Sequence, residues 1–219
     1  MSESLHAPIN ARLRALRVVP VIVIDDPDRA ISLAESLAEG GLPCAEVTFR
    51  TEGAEKALTR IARARPDFLV GAGTVTTTEQ ADLALDAGAQ FAVAPGMNPR
   101  VVEHCLKIGL PIYPGVCTPS DIERAMEFGL RTLKFFPAEP SGGVKYLKAI
   151  AAPYGALEFM PTGGITRESL GSYLGYSRVV ACGGSWMAPA EWITEGAFER
   201  IRDETFNVMS LVSLMDPHP

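Results

Sequence analysis

Of the five lysines in this chain, Lys56, Lys107, Lys145 and Lys148 fall in polar, helix-like stretches. Lys134 alone sits inside an apolar run, Thr132-Leu133-Lys134-Phe135-Phe136-Pro137. On a strand, the two-residue period puts Thr132, Lys134 and Phe136 on one face and Leu133 and Phe135 on the other. Burial there favours the neutral amine, the form that attacks a ketone to give an iminium. A structural lysine paired with a carboxylate, or one reaching the rim, is the alternative. A second run, Ala45-Glu46-Val47-Thr48-Phe49-Arg50, alternates so that Glu46, Thr48 and Arg50 share a face. Three polar side chains on the interior face of a core strand are expensive unless used. Glu46 is a candidate general acid or base if it approaches Lys134 across the fold. Arg50 carries the planar fork suited to a substrate carboxylate. The alternative is a buried ion network that holds the strands together.

Two glycine pairs stand at corresponding places, in Pro161-Thr162-Gly163-Gly164-Ile165 and in Cys182-Gly183-Gly184-Ser185. Glycine lets backbone approach a ligand closely, and a following helix N-terminus offers free N–H groups to an anion. Two such pairs after consecutive late strands point to phosphate binding. Gly71-Ala72-Gly73-Thr74 brings backbone and a hydroxyl to the same end of the strands.

The elements that must position these groups follow from apolar runs. Strand candidates are residues 18–24, 45–50, 68–72, 91–95, 111–115, 132–137, 157–162 and 179–183. They begin about every 20 to 27 residues, the length of a βα unit in a parallel sheet. Helical stretches lie between them, such as 77–89, with Thr76 and Glu79 spaced as a capping box, and 118–129, with Pro119 just inside its start. After the first run stands Asp25-Asp26-Pro27-Asp28-Arg29, where an open dinucleotide-binding sheet would more often show a glycine-rich turn. The expectation is an α/β fold: a single (β/α)8 TIM barrel filling residues 1–219. A helix precedes it, with Ile9, Leu13 and Leu16 on one face and Pro8 near the start, and two short C-terminal helices follow it.

Composition excludes several classes. With 20 basic and 26 acidic side chains the formal net charge is −6, so no basic stripe marks a nucleic-acid site. No run of 18 apolar residues exists to span a membrane. Cys44, Cys105, Cys117 and Cys182 are too dispersed for a zinc knuckle, and with no secretory segment, reduced thiols in the cytoplasm are expected. His6 and His218, near the termini, read as solvated. His104 and Cys105 lack further ligands for a metal. Cys117 is either a packed thiol or part of the site lining, and Trp186 and Trp192 read as packing for the C-terminal helices or a subunit contact.

Taken together, VVPVIVI, EVTFRT, GAGTV, AGAQFAVAPG, TLKFFPAE, GGVKYLKAI, PTGGI and GGSW, running in that order from Val18 to Trp186, resemble the class I 2-keto-3-deoxy-6-phosphogluconate (KDPG) and 4-hydroxy-2-oxoglutarate (KHG) aldolases. The resemblance implies a cytoplasmic, homotrimeric (β/α)8 carbon–carbon lyase of the Entner–Doudoroff pathway, without metal or organic cofactor. It implies Lys134 as the Schiff-base residue, Glu46 as the proton-transfer residue, and Arg50 and Thr74 holding the pyruvyl portion. Pro95, Phe136 and Thr162 match pocket-lining residues, and Gly163, Gly164, Gly184 and Ser185 match the phosphate end. The expected substrate is 2-dehydro-3-deoxy-6-phospho-D-gluconate, with 4-hydroxy-2-oxoglutarate as a second or main one. A barrel that binds an anion without turnover is the alternative. Asp25-Asp26, Cys117 and Met160 depart from common members of the family, and the last two bear on substrate preference.

Overall fold

Each apolar run becomes a short strand because β-branched and aromatic side chains fit a surface covered on both faces. The computed structural model of the protein describes residues 2–215. Its strands are β1 (Val18–Ile22), β2 (Cys44–Thr48), β3 (Leu69–Gly73), β4 (Ala92–Val93), β5 (Ile112–Tyr113), β6 (Gly115–Val116), β7 (Thr132–Phe135), β8 (Glu158–Pro161) and β9 (Cys182–Gly184). The helices are α1 (Ser2–Leu16), α2 (Ala30–Glu39), α3 (Ala54–Ala64), α4 (Thr78–Asp86), α5 (Pro99–Ile108), α6 (Pro119–Glu127), α7 (Gly143–Ala151), α8 (Arg167–Leu174), α9 (Ala190–Glu195) and α10 (Phe198–Met215). The fold is therefore α/β, with a curled parallel sheet covered by helices. Six strands pair in the order β5-β4-β3-β2-β1-β9 and three in the order β6-β7-β8, every pairing parallel. Isolated parallel bridges link Phe159 to Val179 and Thr162 to Gly183.

Several local expectations shift. The fifth run divides at Pro114, which has no N–H to give a ladder; its carbonyl accepts from the Lys134 N–H at 3.0 Å. The second run ends at Thr48, so Arg50 lies beyond the strand and is exposed rather than on its interior face. The cap of α4 is Thr77, whose side chain accepts from the Gln80 N–H, one residue later than the expected Thr76 and Glu79 pair. Thr118 and Asp121 do form a capping box on α6, with Pro119 in its first turn. At the C-terminus, α9 is short, but α10 runs 18 residues with Ile201, Thr205 and Val208 buried.

The N-terminal helix departs most. It starts at Ser2, so Pro8 falls inside it, and it lies across the N-terminal ends of the strands. His6, expected in solvent, is buried: its Nε2 sits 2.9 Å from the Ile112 carbonyl oxygen and 3.1 Å from the Ile112 nitrogen. His218 lies outside the described residues. Further along α1, Asn10 Nδ2 donates to Thr132 Oγ1 at 3.1 Å, and the Tyr113 hydroxyl donates to Asn10 Oδ1 at 2.8 Å. Arg14 pairs with Glu158. The helix thus closes one end of the sheet with hydrogen bonds as well as with Ile9 and Leu13.

Candidate active site

Two strands on opposite parts of the fold bring one amine and one carboxylate together. Lys134, the third residue of β7, registers against Gly115 of β6 and Met160 of β8. Glu46, in the middle of β2, registers against Val21 and Gly71. Separated by 88 positions in sequence, Lys134 Nζ and Glu46 Oε1 lie 3.4 Å apart. Their side chains are only 5% and 1% exposed, so each is costly to bury without the other. The second carboxylate oxygen of Glu46 has no hydrogen-bond partner among the described residues. Glycine at 73 makes room for this acid: a Cβ there would stand 2.3 Å from Glu46 Oε1. The Lys134 Nζ also lies 4.9 Å from the centre of the Phe136 ring, where the π face favours a cation.

Arg50 and Thr74 meet just beyond the ends of β2 and β3. Arg50 Nε donates to Thr74 Oγ1 at 3.1 Å, and the terminal guanidinium nitrogens have no protein partner among the described residues. Thr74 has φ +59°, a left-handed conformation that a β-branched residue adopts only when its surroundings enforce it. Hydrogen bonds on both sides do so: Phe49 N–H donates to the Gly73 carbonyl at 2.8 Å, and Val75 N–H donates to the Val93 carbonyl at 3.1 Å.

Above the amine opens a cavity of about 380 Å³. Its walls include Val21, Val23, Arg50, Lys134, Phe136, Thr162, Gly163, Gly164, Ile165, Thr166, Gly184, Ser185 and Trp186. Thr166 caps α8, so the free N–H groups of that helix begin where the 163–165 loop ends. Gly163 and Gly164 adopt φ of +103° and +79°, which suits glycine alone among common residues. A larger cavity of about 590 Å³ opens at the other end of the strands, beside Asn10, Arg14, Thr132 and Glu158. Those four are already bonded in pairs, Asn10 to Thr132 and Arg14 to Glu158, and no lysine, cysteine or histidine is among its lining, so the smaller one is the candidate active site.

Of the residues singled out in the sequence, Lys134, Arg50, Phe136, Thr162, Gly163, Gly164, Gly184 and Ser185 line this one cavity. Glu46 lies against Lys134, and Thr74 against Arg50. Pro95 is not in the wall; it is exposed, and its carbonyl packs so close to Gly115 that a Cβ there would come within 2.1 Å. The sequence places Trp186 against the C-terminal helices or another subunit, but it lines the cavity instead. A Cβ on Gly184 would lie 1.7 Å from its ring, so that glycine seats the indole as well as exposing backbone. Trp192 does pack toward α10, with the Arg200 guanidinium 4.4 Å from its ring centre. Val21, Val23 and Thr166 also line the cavity beyond the sequence expectation; a capping threonine two residues after a glycine pair is the signal for the last. Cys117 is half-buried, 3.1 Å from Ser141 Oγ, and is not in the wall; Met160 is fully buried beside Lys134. His104 pairs with Asp82 at 2.7 Å.

Comparison with known proteins bears directly on this geometry. The model of the KDPG and KHG aldolases matches residues 9–203. The chain belongs to that family. It is 48% identical over 203 residues to the 2-dehydro-3-deoxy-phosphogluconate aldolase of Treponema pallidum, covering 93% of this chain and 97% of that protein. Among solved structures of the family, the KDPG aldolase of Legionella pneumophila, with pyruvate captured at low pH as a covalent carbinolamine intermediate, matches with a TM-score of 0.88. The two share 39% identity, and the match covers 91% of this chain and 97% of that one. The Zymomonas mobilis aldolase solved with 3-phosphoglycerate matches with a TM-score of 0.80 and 37% identity over 89% of this chain and 94% of that one. The cavity holds the Lys134 amine in its wall, with the Glu46 carboxylate 3.4 Å behind it.

Proposed function

We infer that the protein is a class I aldolase that cleaves 2-dehydro-3-deoxy-6-phospho-D-gluconate to pyruvate and D-glyceraldehyde 3-phosphate through a Schiff base on Lys134. The observation that carries this reading is the buried amine of Lys134 beside a buried carboxylate whose second oxygen is unpartnered. The Lys134 amine adds to the C2 ketone to give a carbinolamine, and loss of water gives an iminium. Glu46 takes the proton of the C4 hydroxyl as the C3–C4 bond breaks and its electron pair moves into the iminium. The aldehyde leaves, Glu46 returns a proton to C3 of the enamine, and water releases pyruvate and the free amine. Arg50 and Thr74 hold the carboxylate, Phe136 and Thr162 flank the reacting carbons, and the 163–166 and 184–185 backbone receives the phosphate. Anchors at both ends convert binding into orientation at the bond that breaks.

The phosphate end favours the phosphorylated sugar acid over 4-hydroxy-2-oxoglutarate as main substrate. Its walls at Gly163, Gly164, Thr166, Gly184 and Ser185 offer N–H groups and hydroxyls but no guanidinium fork; the single arginine that lines the cavity, Arg50, is bonded to Thr74 beyond β2 and β3. Borohydride reduction in the presence of pyruvate, followed by peptide mass analysis, tests the mechanism. Reduced pyruvate attached to Lys134 is expected, and no adduct where pyruvate binds overturns it, leaving the reading of an anion-binding fold without turnover.

The remaining features of the protein are read in the same way. The two sheets close into one (β/α)8 barrel that makes a single domain. Support comes from the continuity of Tyr113, Pro114 and Gly115 between them on one side and from the Phe159–Val179 and Thr162–Gly183 bridges on the other. The protein works as a homotrimer, to which exposed Leu83, Leu85 and Met126 lend apolar surface, and a solution mass tests it. It works in the cytoplasm, where free thiols at all four cysteines persist. No described helix is long and apolar enough to cross a membrane.

A further inference from the structure

Gly163 and Gly164 at the phosphate end have no side chains to hold their shape, and their support comes from the loop after β7. There the Ala138 N–H donates to the Thr162 carbonyl at 2.8 Å and the Glu139 N–H to the Gly163 carbonyl at 2.9 Å. The side chain of Glu139 packs so tightly on Gly164 that a Cβ at 164 would meet Glu139 Cβ at 2.8 Å. Glu139 Oε1 in turn accepts from the Tyr173 hydroxyl at 2.5 Å. Tyr173 is fully buried in α8, the helix that starts where the glycine loop ends. One glutamate therefore grips the loop at Gly163 and Gly164 and, through Tyr173, the helix beyond it. Burial, and then the Glu139 carboxylate, push the Tyr173 phenol above its ordinary range, so the hydroxyl stays a donor. A carboxylate offers a phosphate no donor, so the value of Glu139 lies in anchoring rather than in contact with the ligand.

We propose that Glu139 and Tyr173 are positioning residues for the phosphate subsite: their hydrogen bond holds the 163–166 backbone in the shape that receives the phosphate, and so sets the preference for phosphorylated over unphosphorylated 2-keto acids. This rests on the proposed function and adds to it residues that make no contact with substrate.

The test compares kcat and KM of the wild type, Tyr173→Phe, Glu139→Ala and Glu139→Gln. The substrates are the phosphorylated acid and the same acid without its phosphate, with borohydride trapping of pyruvate run in parallel. In Tyr173→Phe and Glu139→Ala, kcat/KM for the phosphorylated acid falls about tenfold, mainly through KM, the scale of a lost charge-assisted hydrogen bond. Their activity on the unphosphorylated acid and their pyruvate adducts stay at wild-type levels. Glu139→Gln keeps an oxygen acceptor and stays within about threefold of wild type. Equal losses on both substrates, or an unchanged ratio, overturn the proposal. A wild type with no preference for the phosphorylated acid instead overturns the phosphate assignment beneath it. Should Tyr173→Phe fail to fold, the two Glu139 variants decide.

Discussion

Thr132 and Lys134 stand two residues apart on the same face of β7, yet they belong to opposite ends of the molecule. At Thr132 the polar groups are paired: Asn10 links it to Tyr113, while Arg14 meets Glu158 beside it. About 7 Å further along the strand, Lys134 meets Glu46, and there Glu46 Oε2 and Thr162 Oγ1 are buried with no partner among the described residues. Buried polar atoms are nearly always paired, so the contrast marks a division of labour. The end under α1 uses its hydrogen bonds to hold the fold together. The end under the cavity leaves hydrogen-bonding capacity unused by the protein and available to a substrate.

Four experiments would break or sharpen that contrast. The largest effect belongs to Lys134→Met, which removes the proposed nucleophile: kcat falls by at least about 10⁴-fold and no pyruvate adduct forms in borohydride. It also leaves Glu46 buried without its partner amine, so urea melts should show a loss of about 3 kcal/mol, part of which returns in the Lys134→Met, Glu46→Gln double variant. Next comes Glu46→Gln, for which adduct formation persists while steady-state cleavage slows about 100-fold; unchanged turnover rejects its proton-transfer role. Asn10→Ala probes the other end. It costs about 2 kcal/mol in a denaturant melt by removing two hydrogen bonds, while kcat/KM stays within about twofold of wild type. A tenfold loss of kcat/KM there would falsify the division between the two ends.

The smallest effect is alkaline. Burial pushes the Cys105 thiol up to about 12 from an ordinary 9.0 and raises Cys44 and Cys182 further. These thiols are kept neutral by the fold, so their contribution to stability is complete below about pH 9 and is lost as pH rises towards 12. Tm should therefore be flat from about pH 7 to 8.5 and decline above it. Alkylation at pH 8 should reach half-buried Cys117 first, and equal labelling of Cys44 or Cys182 contradicts the burial.

Much of the candidate site was legible because its residues break a local pattern. A lysine amid Leu133, Phe135 and Phe136 is conspicuous, and so is a glutamate between Ala45 and Val47. The contact between the two was not legible, since 88 residues separate them and only the curl of the sheet brings them together. Strand existence could be read from apolar runs, but their ends could not, because glycine and proline stop pairing for reasons set by neighbouring strands. Pro114 divides a run, and Gly115 must pass against the Pro95 carbonyl. The burial of His6 has no local signal, because position near a terminus says nothing about what a helix lies on. Trp186 was missed for a related reason: its seat depends on the missing side chain of Gly184, a tertiary fact with no local trace.

Gly73 carries a consequence for any redesign of this protein. The volume its side chain would fill is the volume the Glu46 carboxylate occupies. Acid and glycine thus behave as one inherited unit spread over two adjacent strands. Enlarging position 73 even to alanine evicts the acid from its berth, and transplanting the acid to another strand fails unless a gap of matching size travels with it. A survey of tolerated substitutions should find the two positions changing together or staying fixed together.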